Sequence, residues 1–238
     1  MKLINLYPLH HNICRARVCE NFTFCECEPN VLQPCDKTDI IETPLEHLQS
    51  KLGCHLTNAQ SPAQHTFNAI VRSNANYQSS VKSIPYNGYL DFINLYKNNT
   101  LKTYQHSEFK KQLQLYSSPL AVGQVLFHGG TDNFISNYPP WLSTSLCPSV
   151  AIYHANKKAM YQIGMSSWGF NCSNVFHITV KSSNVYAVPL HYHGNDNLKQ
   201  EIEFIISNYT GIKNVGVFEY DDSNSDVSKR RIFMLEIY

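Results

Sequence analysis

The sequence has little charge, and the charges it has nearly cancel. Only 16% of its 238 residues are Asp, Glu, Lys or Arg, against about 25% in an average domain. The 19 basic and 18 acidic residues leave a formal net charge of +1. Proteins that bind nucleic acids in general carry a basic surface, so the composition argues against that class.

Long apolar runs are also missing. No stretch approaches the roughly 18 apolar residues that predict a membrane-spanning helix. Pro8 interrupts the apolar start of the chain before it reaches the length of a secretory signal. We therefore expect no membrane binding, and a protein that is cytoplasmic, or that is secreted or injected into a target cell without a classical signal peptide.

Apolar residues are plentiful, at 43% hydrophobic and 12% aromatic, and this composition favours a packed core over disorder. The length fits one large domain or one domain with an appendage. Because the composition changes near residue 56, we predict a cysteine-rich N-terminal arm over residues 1–56 and the main domain over residues 57–238.

The arm holds most of the cysteines, namely Cys14, Cys19, Cys25, Cys27, Cys35 and Cys54. Disulfides would need an oxidising compartment, and their pairing cannot be deduced from spacing. Zinc prefers ligands that converge tetrahedrally, yet no C-x-x-C pair occurs. We favour reduced thiols and predict no metal site, with disulfides and zinc left open as alternatives.

The hydrophobic pattern changes its period along the chain. Apolar spacing predicts helices over residues 45–52, from 62 onward, and over 90–96, 109–116 and 149–158. After the period changes, short apolar segments predict strands over residues 124–127, 175–180, 201–206, 215–218 and 231–238. Helices followed by a strand-rich half indicate an α+β fold.

Two polar segments of the strand-rich half each allow two interpretations. The first strand runs into His128 and Gly129, where glycine lets a planar amide approach the backbone, although a plain strand-to-turn junction has the same pattern. The hydroxyls of residues 143–145 lie at a strand end just before a helix that Ser149 could cap, and such a structural role is the simplest explanation of a hydroxyl cluster. In the functional interpretation, Ser143 orients a catalytic carboxylate.

A third segment carries two glutamates close together. Period two in a strand places Glu201 and Glu203 on one face. Like charges on one face repel, and burial raises their cost. The pair is therefore either a solvent-facing rim or a functional site.

Together, the strand ending at His128, the Ser-Thr-Ser segment at 143–145 and the Glu-x-Glu strand at 201–203 resemble the ADP-ribosyltransferase family. The resemblance covers residues 60–238. From Ser143 onward it is closest to the toxin-like Arg-Ser-Glu group, while His128 stands in place of the arginine, as in the diphtheria-toxin and poly(ADP-ribose) polymerase group. The resemblance implies an α+β fold, a split β-sandwich with an N-terminal helical portion.

The resemblance also implies an activity, that of a mono-ADP-ribosyltransferase of the glycosyltransferase class. Such an enzyme moves ADP-ribose from NAD, its substrate, to a macromolecular acceptor, here expected to be a protein side chain, and could be a bacterial toxin or effector. Glu203 would stabilise the ribosyl cation, Ser143 would orient Glu203, and Glu201 would act on the nucleophile. The residues implied to contact NAD are His128, Gly129, Thr144, Ser145, Tyr153 and Phe134.

Other functions stay open from the sequence alone. An NAD glycohydrolase would use water as the acceptor. A non-catalytic module could bind NAD or ADP-ribose, with a zinc-binding N-terminal arm. A cysteine hydrolase is disfavoured, because no cysteine lies in a glycine elbow or at a predicted helix start near a candidate base.

Overall fold

The structure is a computed structural model of the chain. It describes residues 1–10, 40–52, 62–82, 93, 95–96, 100–130, 140–163, 172–190, 202–221 and 229–238. Several predicted features lie outside these ranges: the cysteines of the arm, most of the helix predicted over 90–96, Phe134 and Glu201.

The described helices are α1 (Pro44–Leu52), α2 (Pro62–Ser73), α3 (Ala75–Lys82), α4 (His106–Tyr116) and α5 (Pro148–Ile163), with a 3₁₀ turn at Thr103–Gln105 before α4. Proline is the first residue of α1, α2 and α5, where its fixed φ suits a helix and no N–H is needed. The predicted start of α2 is confirmed, and α1 begins one residue before the predicted 45–52. α4 begins three residues before the predicted 109–116, α5 extends beyond the predicted 149–158 at both ends, and α3 was not predicted. No helix in the described ranges has the length and apolar character needed to cross a membrane.

The strands form a small sheet and a large one. The small sheet pairs β1 (Leu9–His10) with β2 (Ile40–Ile41). The others are β3 (Ser118–Pro119), β4 (Val125–Gly130), β5 (Leu142–Ser145), β6 (Cys172–Val180), β7 (Tyr186–Pro189), β8 (Glu203–Asn208), β9 (Ile212–Asp221) and β10 (Lys229–Ile237). They make an eight-stranded sheet in the order β3-β7-β8-β5-β4-β6-β10-β9. All neighbours are antiparallel except β6 and β10.

The large sheet is divided near its middle. Strands β4 and β5 share one pair in register, Phe127 with Ser145, whereas β4 and β6 pair along the whole of β4. We call the strands β3, β7, β8 and β5 the first half-sheet, and β4, β6, β10 and β9 the second half-sheet. The predicted α+β class is confirmed, and this division agrees with the split sandwich that the resemblance implied.

Among the described residues, three apolar clusters hold the elements together. The largest joins both half-sheets to α2 and α3, with Leu126, Phe176, Leu142, Phe204, Val71 and Tyr77 among its buried members. A second packs α1 and α5 on the second half-sheet through Leu48, Ile152, Phe127 and Ile232. A third packs α4 on the first half-sheet through Phe109, Leu113, Val188 and Ile205. Each half-sheet therefore has its own covering helix.

The start of the chain belongs to the core. Ile4, Leu6 and Leu9 are buried in the largest cluster, and the Ile4 N–H donates to the Gln124 side chain at 2.9 Å. The described part of the predicted arm therefore packs on the sheet. The boundary at residue 56 stays a prediction, because the chain between residues 53 and 61 lies outside the described ranges.

Candidate active site

The Ser-Thr-Ser and Glu segments meet on the first half-sheet. Ser143 pairs in register with Ile205, and Ser145 with Glu203, so Ser143 and Glu203 are diagonal neighbours on one face. The Ser143 hydroxyl donates a hydrogen bond to Oε1 of Glu203. Glu203 is only 3% exposed, which makes it a carboxylate held largely away from water.

His128 reaches the same place from the second half-sheet. Its Nδ1 lies 2.7 Å from the Ser143 carbonyl oxygen. A carbonyl only accepts hydrogen bonds, so Nδ1 carries the proton and donates it. The half-buried ring is tilted against Phe176, with centroids 5.7 Å apart. His128, Ser143 and Glu203 are thus brought together where the half-sheets divide.

Ile202 has a backbone conformation that sets where strand β8 starts. Its φ is +43°, in the left-handed region that β-branched residues rarely adopt. The strand predicted over 201–206 instead begins at Glu203, and the predicted relation between Glu201 and Glu203 stays a prediction because Glu201 lies outside the described residues. Ile202 is 1% exposed in the largest core cluster, and this burial offsets the cost of the backbone conformation. No residue pattern at this position predicts such a conformation.

Gly129 is required by helix packing. A Cβ at this position would lie 2.0 Å from the Ala151 carbonyl oxygen and 2.6 Å from the Ala155 amide nitrogen. The backbone of α5 therefore lies directly against β4, closer than any side chain would allow. On this side of β4, the backbone of α5 occupies the space next to Gly129 in which a ligand was expected.

The other residues expected to contact NAD have structural contacts of their own. Thr144 donates its hydroxyl to the Phe204 carbonyl at 2.7 Å. Ser145 accepts from the Cys147 N–H at 2.9 Å, just before α5 begins. Tyr153 is half-buried on α5, where its ring meets His154 at 5.3 Å. These contacts hold β5 and α5 in place, and the NAD contacts of these residues stay predictions.

Two buried histidines lie outside this group of residues. His177, on β6, packs its ring edge-on to Phe127 at 5.6 Å, and burial lowers its pKa to about 4. Burial, together with the positive charge of Lys51, lowers the pKa of His47 to about 3, and the Tyr7 hydroxyl lies 3.0 Å from its Nδ1. Both rings are therefore neutral near pH 7 and serve packing.

Cys147 is a buried thiol at the start of α5. It is 1% exposed, and burial raises its pKa. A high pKa keeps a thiol protonated and unreactive, which argues against a nucleophile here. Among the described residues, no group of His, Cys, Asp and Glu is arranged to hold a metal ion.

Comparisons with known proteins give likenesses in structure but none in sequence. No family model matches the sequence, and no curated protein matches it. BECa, an ADP-ribosylating toxin of a binary enterotoxin of C. perfringens solved with NADH, is 12% identical with a TM-score of 0.47, over 74% of this chain and 48% of BECa. Vis toxin, an ADP-ribosyltransferase from Vibrio splendidus, is 12% identical with a TM-score of 0.32, over 74% of this chain and 76% of Vis.

The enzymatic component C2-I of the C2-toxin from Clostridium botulinum is 14% identical with a TM-score of 0.37, over 68% of this chain and 46% of C2-I. The chain thus spans about half the length of BECa and C2-I. At these identities residue roles do not carry over, so the roles proposed below come from the contacts within this chain.

Proposed function

We propose that the protein is an NAD-dependent mono-ADP-ribosyltransferase. One observation carries the proposal: a buried glutamate, Glu203, accepts the hydroxyl of Ser143 where the two half-sheets divide. Burying a carboxylate costs free energy, and an oriented carboxylate is what a developing cation needs. His128 bonds to the Ser143 backbone. The histidine, serine and glutamate on which the resemblance to ADP-ribosyltransferases rests are therefore connected by hydrogen bonds.

The proposed reaction begins at the bond between nicotinamide and ribose. This bond breaks, its electron pair leaves with nicotinamide, and positive charge develops on the anomeric carbon as in glycoside hydrolysis. Glu203 stabilises that charge and binds the ribose 2′-hydroxyl, and an already oriented carboxylate avoids the cost of reorganisation. The Ser143 hydroxyl holds Glu203 in that orientation. The acceptor then adds to the anomeric carbon and loses a proton.

We also propose roles for residues whose observed contacts do not bear on those roles. Glu201 would take the acceptor's proton, and Phe134 or Tyr153 would stack on nicotinamide. The expected NAD contacts also include the Gly129 backbone and the hydroxyls next to Ser143. The acceptor is proposed to be a protein side chain, and a bacterial toxin or effector role is proposed with it.

Nicotinamide release from NAD tests the central step. Glu203→Ala is expected to abolish release while leaving the unfolding temperature unchanged or higher, because a buried carboxylate is removed. Glu236→Gln is the matched control, since Glu236 lies on β10 in an ion pair with Lys181 at 3.0 Å and should behave as wild type. Equal release by wild type and Glu203→Ala would refute the proposal.

A second measurement separates transfer from hydrolysis. Labelled NAD is incubated with the protein and a cell lysate, and modified proteins are identified by mass spectrometry. Transfer predicts a labelled side chain, and Glu201→Ala should remove it while sparing nicotinamide release. Release of free ADP-ribose without any labelled protein would instead identify an NAD glycohydrolase.

A further inference from the structure

His128 makes a second link between the two half-sheets. The register pairing of β4 with β5 consists of Phe127 with Ser145. One residue further along β4, the His128 side chain donates from Nδ1 to the Ser143 carbonyl at 2.7 Å. A side-chain hydrogen bond thus holds the backbone of β5 at the residue whose hydroxyl reaches Glu203.

Gly130 provides the space for the His128 ring. A Cβ at Gly130 would lie 2.9 Å from Nε2 of His128 and 2.8 Å from Cε2 of Phe176. Phe176 is fully buried and cannot yield freely, so a larger residue at Gly130 would displace the imidazole. The glycine is therefore part of the arrangement that aims Nδ1 at Ser143.

We infer that His128, placed by Gly130, is a positioning residue that acts on Glu203 through Ser143. Its Nδ1–H fixes the β5 backbone, and Ser143 in turn orients the carboxylate. This inference rests on the proposed function and changes one part of it, since the role expected for His128 was contact with NAD. A displacement of about 1 Å at such a support can cost a large rate factor.

Two amide substitutions separate the two roles of the imidazole. Asn places its amide nitrogen near the position of Nδ1, whereas Gln places it near Nε2. His128→Asn can therefore keep the hydrogen bond that Nδ1 makes to the Ser143 carbonyl. His128→Gln can keep only a contact that Nε2 makes. His128→Ala keeps neither.

The first experiment measures kcat and KM for nicotinamide release. His128→Asn is expected to stay within about threefold of the wild-type kcat, while His128→Ala and His128→Gln lose about tenfold or more with little change in KM. Two results would show that His128 contacts NAD and would overturn the inference. In one, His128→Gln retains the wild-type kcat and His128→Asn does not; in the other, the variants raise KM without lowering kcat.

The second experiment uses Gly130→Ala, with Gly216→Ala as its matched control. Gly216 also lies in a strand of the second half-sheet, but a Cβ there meets nothing nearer than 3.9 Å. Gly130→Ala should reproduce the kcat loss of His128→Ala, the double variant should lose no more than either single variant, and Gly216→Ala should match wild type. Additive losses would contradict a shared role.

The third experiment does not depend on activity. Nitrogen-15 NMR of the imidazole near pH 7.5 should show His128 protonated at Nδ1 in wild type, and Gly130→Ala should change that signal. If wild type releases no nicotinamide, the proposed function fails, but the signal still shows whether His128 donates its Nδ1 proton to the Ser143 carbonyl. If release occurs and Nδ1 bears no proton, the link is wrong and the proposed function stands.

Discussion

The two half-sheets keep their glutamates in different surroundings. On the first, Glu203 is 3% exposed and accepts the Ser143 hydroxyl. On the second, the Glu219 side chain is 65% exposed and pairs with Arg231 at 3.6 Å. Exposed ion pairs contribute about 1 kcal/mol or less, whereas a buried carboxylate costs more. Under the proposed function, the chemistry belongs to the first half-sheet, and the second half-sheet has a packing role.

Gly129→Ala should have the largest effect, and on stability. The added Cβ would overlap the backbone of α5. Overpacking typically destabilises by about 1–3 kcal/mol, and we expect the upper end of this range because the clash is with backbone atoms. Chemical denaturation with urea measures the change, with Gly216→Ala as the reference. A loss below about 1 kcal/mol would show that α5 can move away from β4 at little cost.

The pH dependence of stability tests the second half-sheet in another way. His177 has a folded pKa of about 4 and an unfolded value near 6.5, so the unfolded state binds the proton first. The free energy of unfolding should therefore fall as pH drops from about 6.5 to 4, by at most roughly 3 kcal/mol from this ring.

His177→Gln removes this titration and should flatten the pH profile in that window. His47 titrates with the same sign and should keep a residual slope. Unfolding temperatures at pH 7.5, 6, 5 and 4 provide the comparison. Identical slopes for wild type and His177→Gln would mean that the buried ring takes a proton without unfolding.

Ser143→Ala should separate activity from stability on the first half-sheet. Without its hydrogen bond Glu203 is less well oriented, so kcat for nicotinamide release should fall about tenfold or more. The free energy of unfolding should change by about 1 kcal/mol. If Ser143→Ala lost much stability but kept a normal kcat per folded molecule, Ser143 would have a packing role, and the contrast between the half-sheets would be wrong.

Glu219→Gln should have the smallest effect. It removes a surface ion pair with Arg231, and we expect a change of about 0.5 kcal/mol or less in the free energy of unfolding. Nicotinamide release should be unchanged. A clear loss of activity would place part of the chemistry on the second half-sheet.

Several elements followed from local sequence signals. Apolar spacing located α1 and α2, with a proline start for α2, and short apolar segments located the strands around residues 125 and 175. α3 escaped prediction because its eight residues are mostly polar and it is held by packing of Tyr77 in the core. Short helices without an apolar stripe owe their stability to tertiary contacts.

The candidate site was predictable in its residue types and not in its geometry. Ser143 and Glu203 were singled out by order and spacing, and their contact is present. The turn at Ile202 was not foreseeable, because an isoleucine with positive φ contradicts its own backbone preference. The Nδ1 bond of His128 could not be foreseen either, since its partner is a backbone carbonyl fifteen residues away.

By itself, the sequence determined the α+β class, the positions of five of the ten described strands (β4, β6, β8, β9 and β10) and the hydroxyl and carboxylate segments of the site. These depend on period, composition and residue type, which act over a few residues. Only the tertiary structure decided that β4 and β5 share one pair in register, that α5 lies against Gly129, and that His128 bonds to the Ser143 carbonyl. Those features depend on contacts between distant segments, where close packing leaves room for one arrangement.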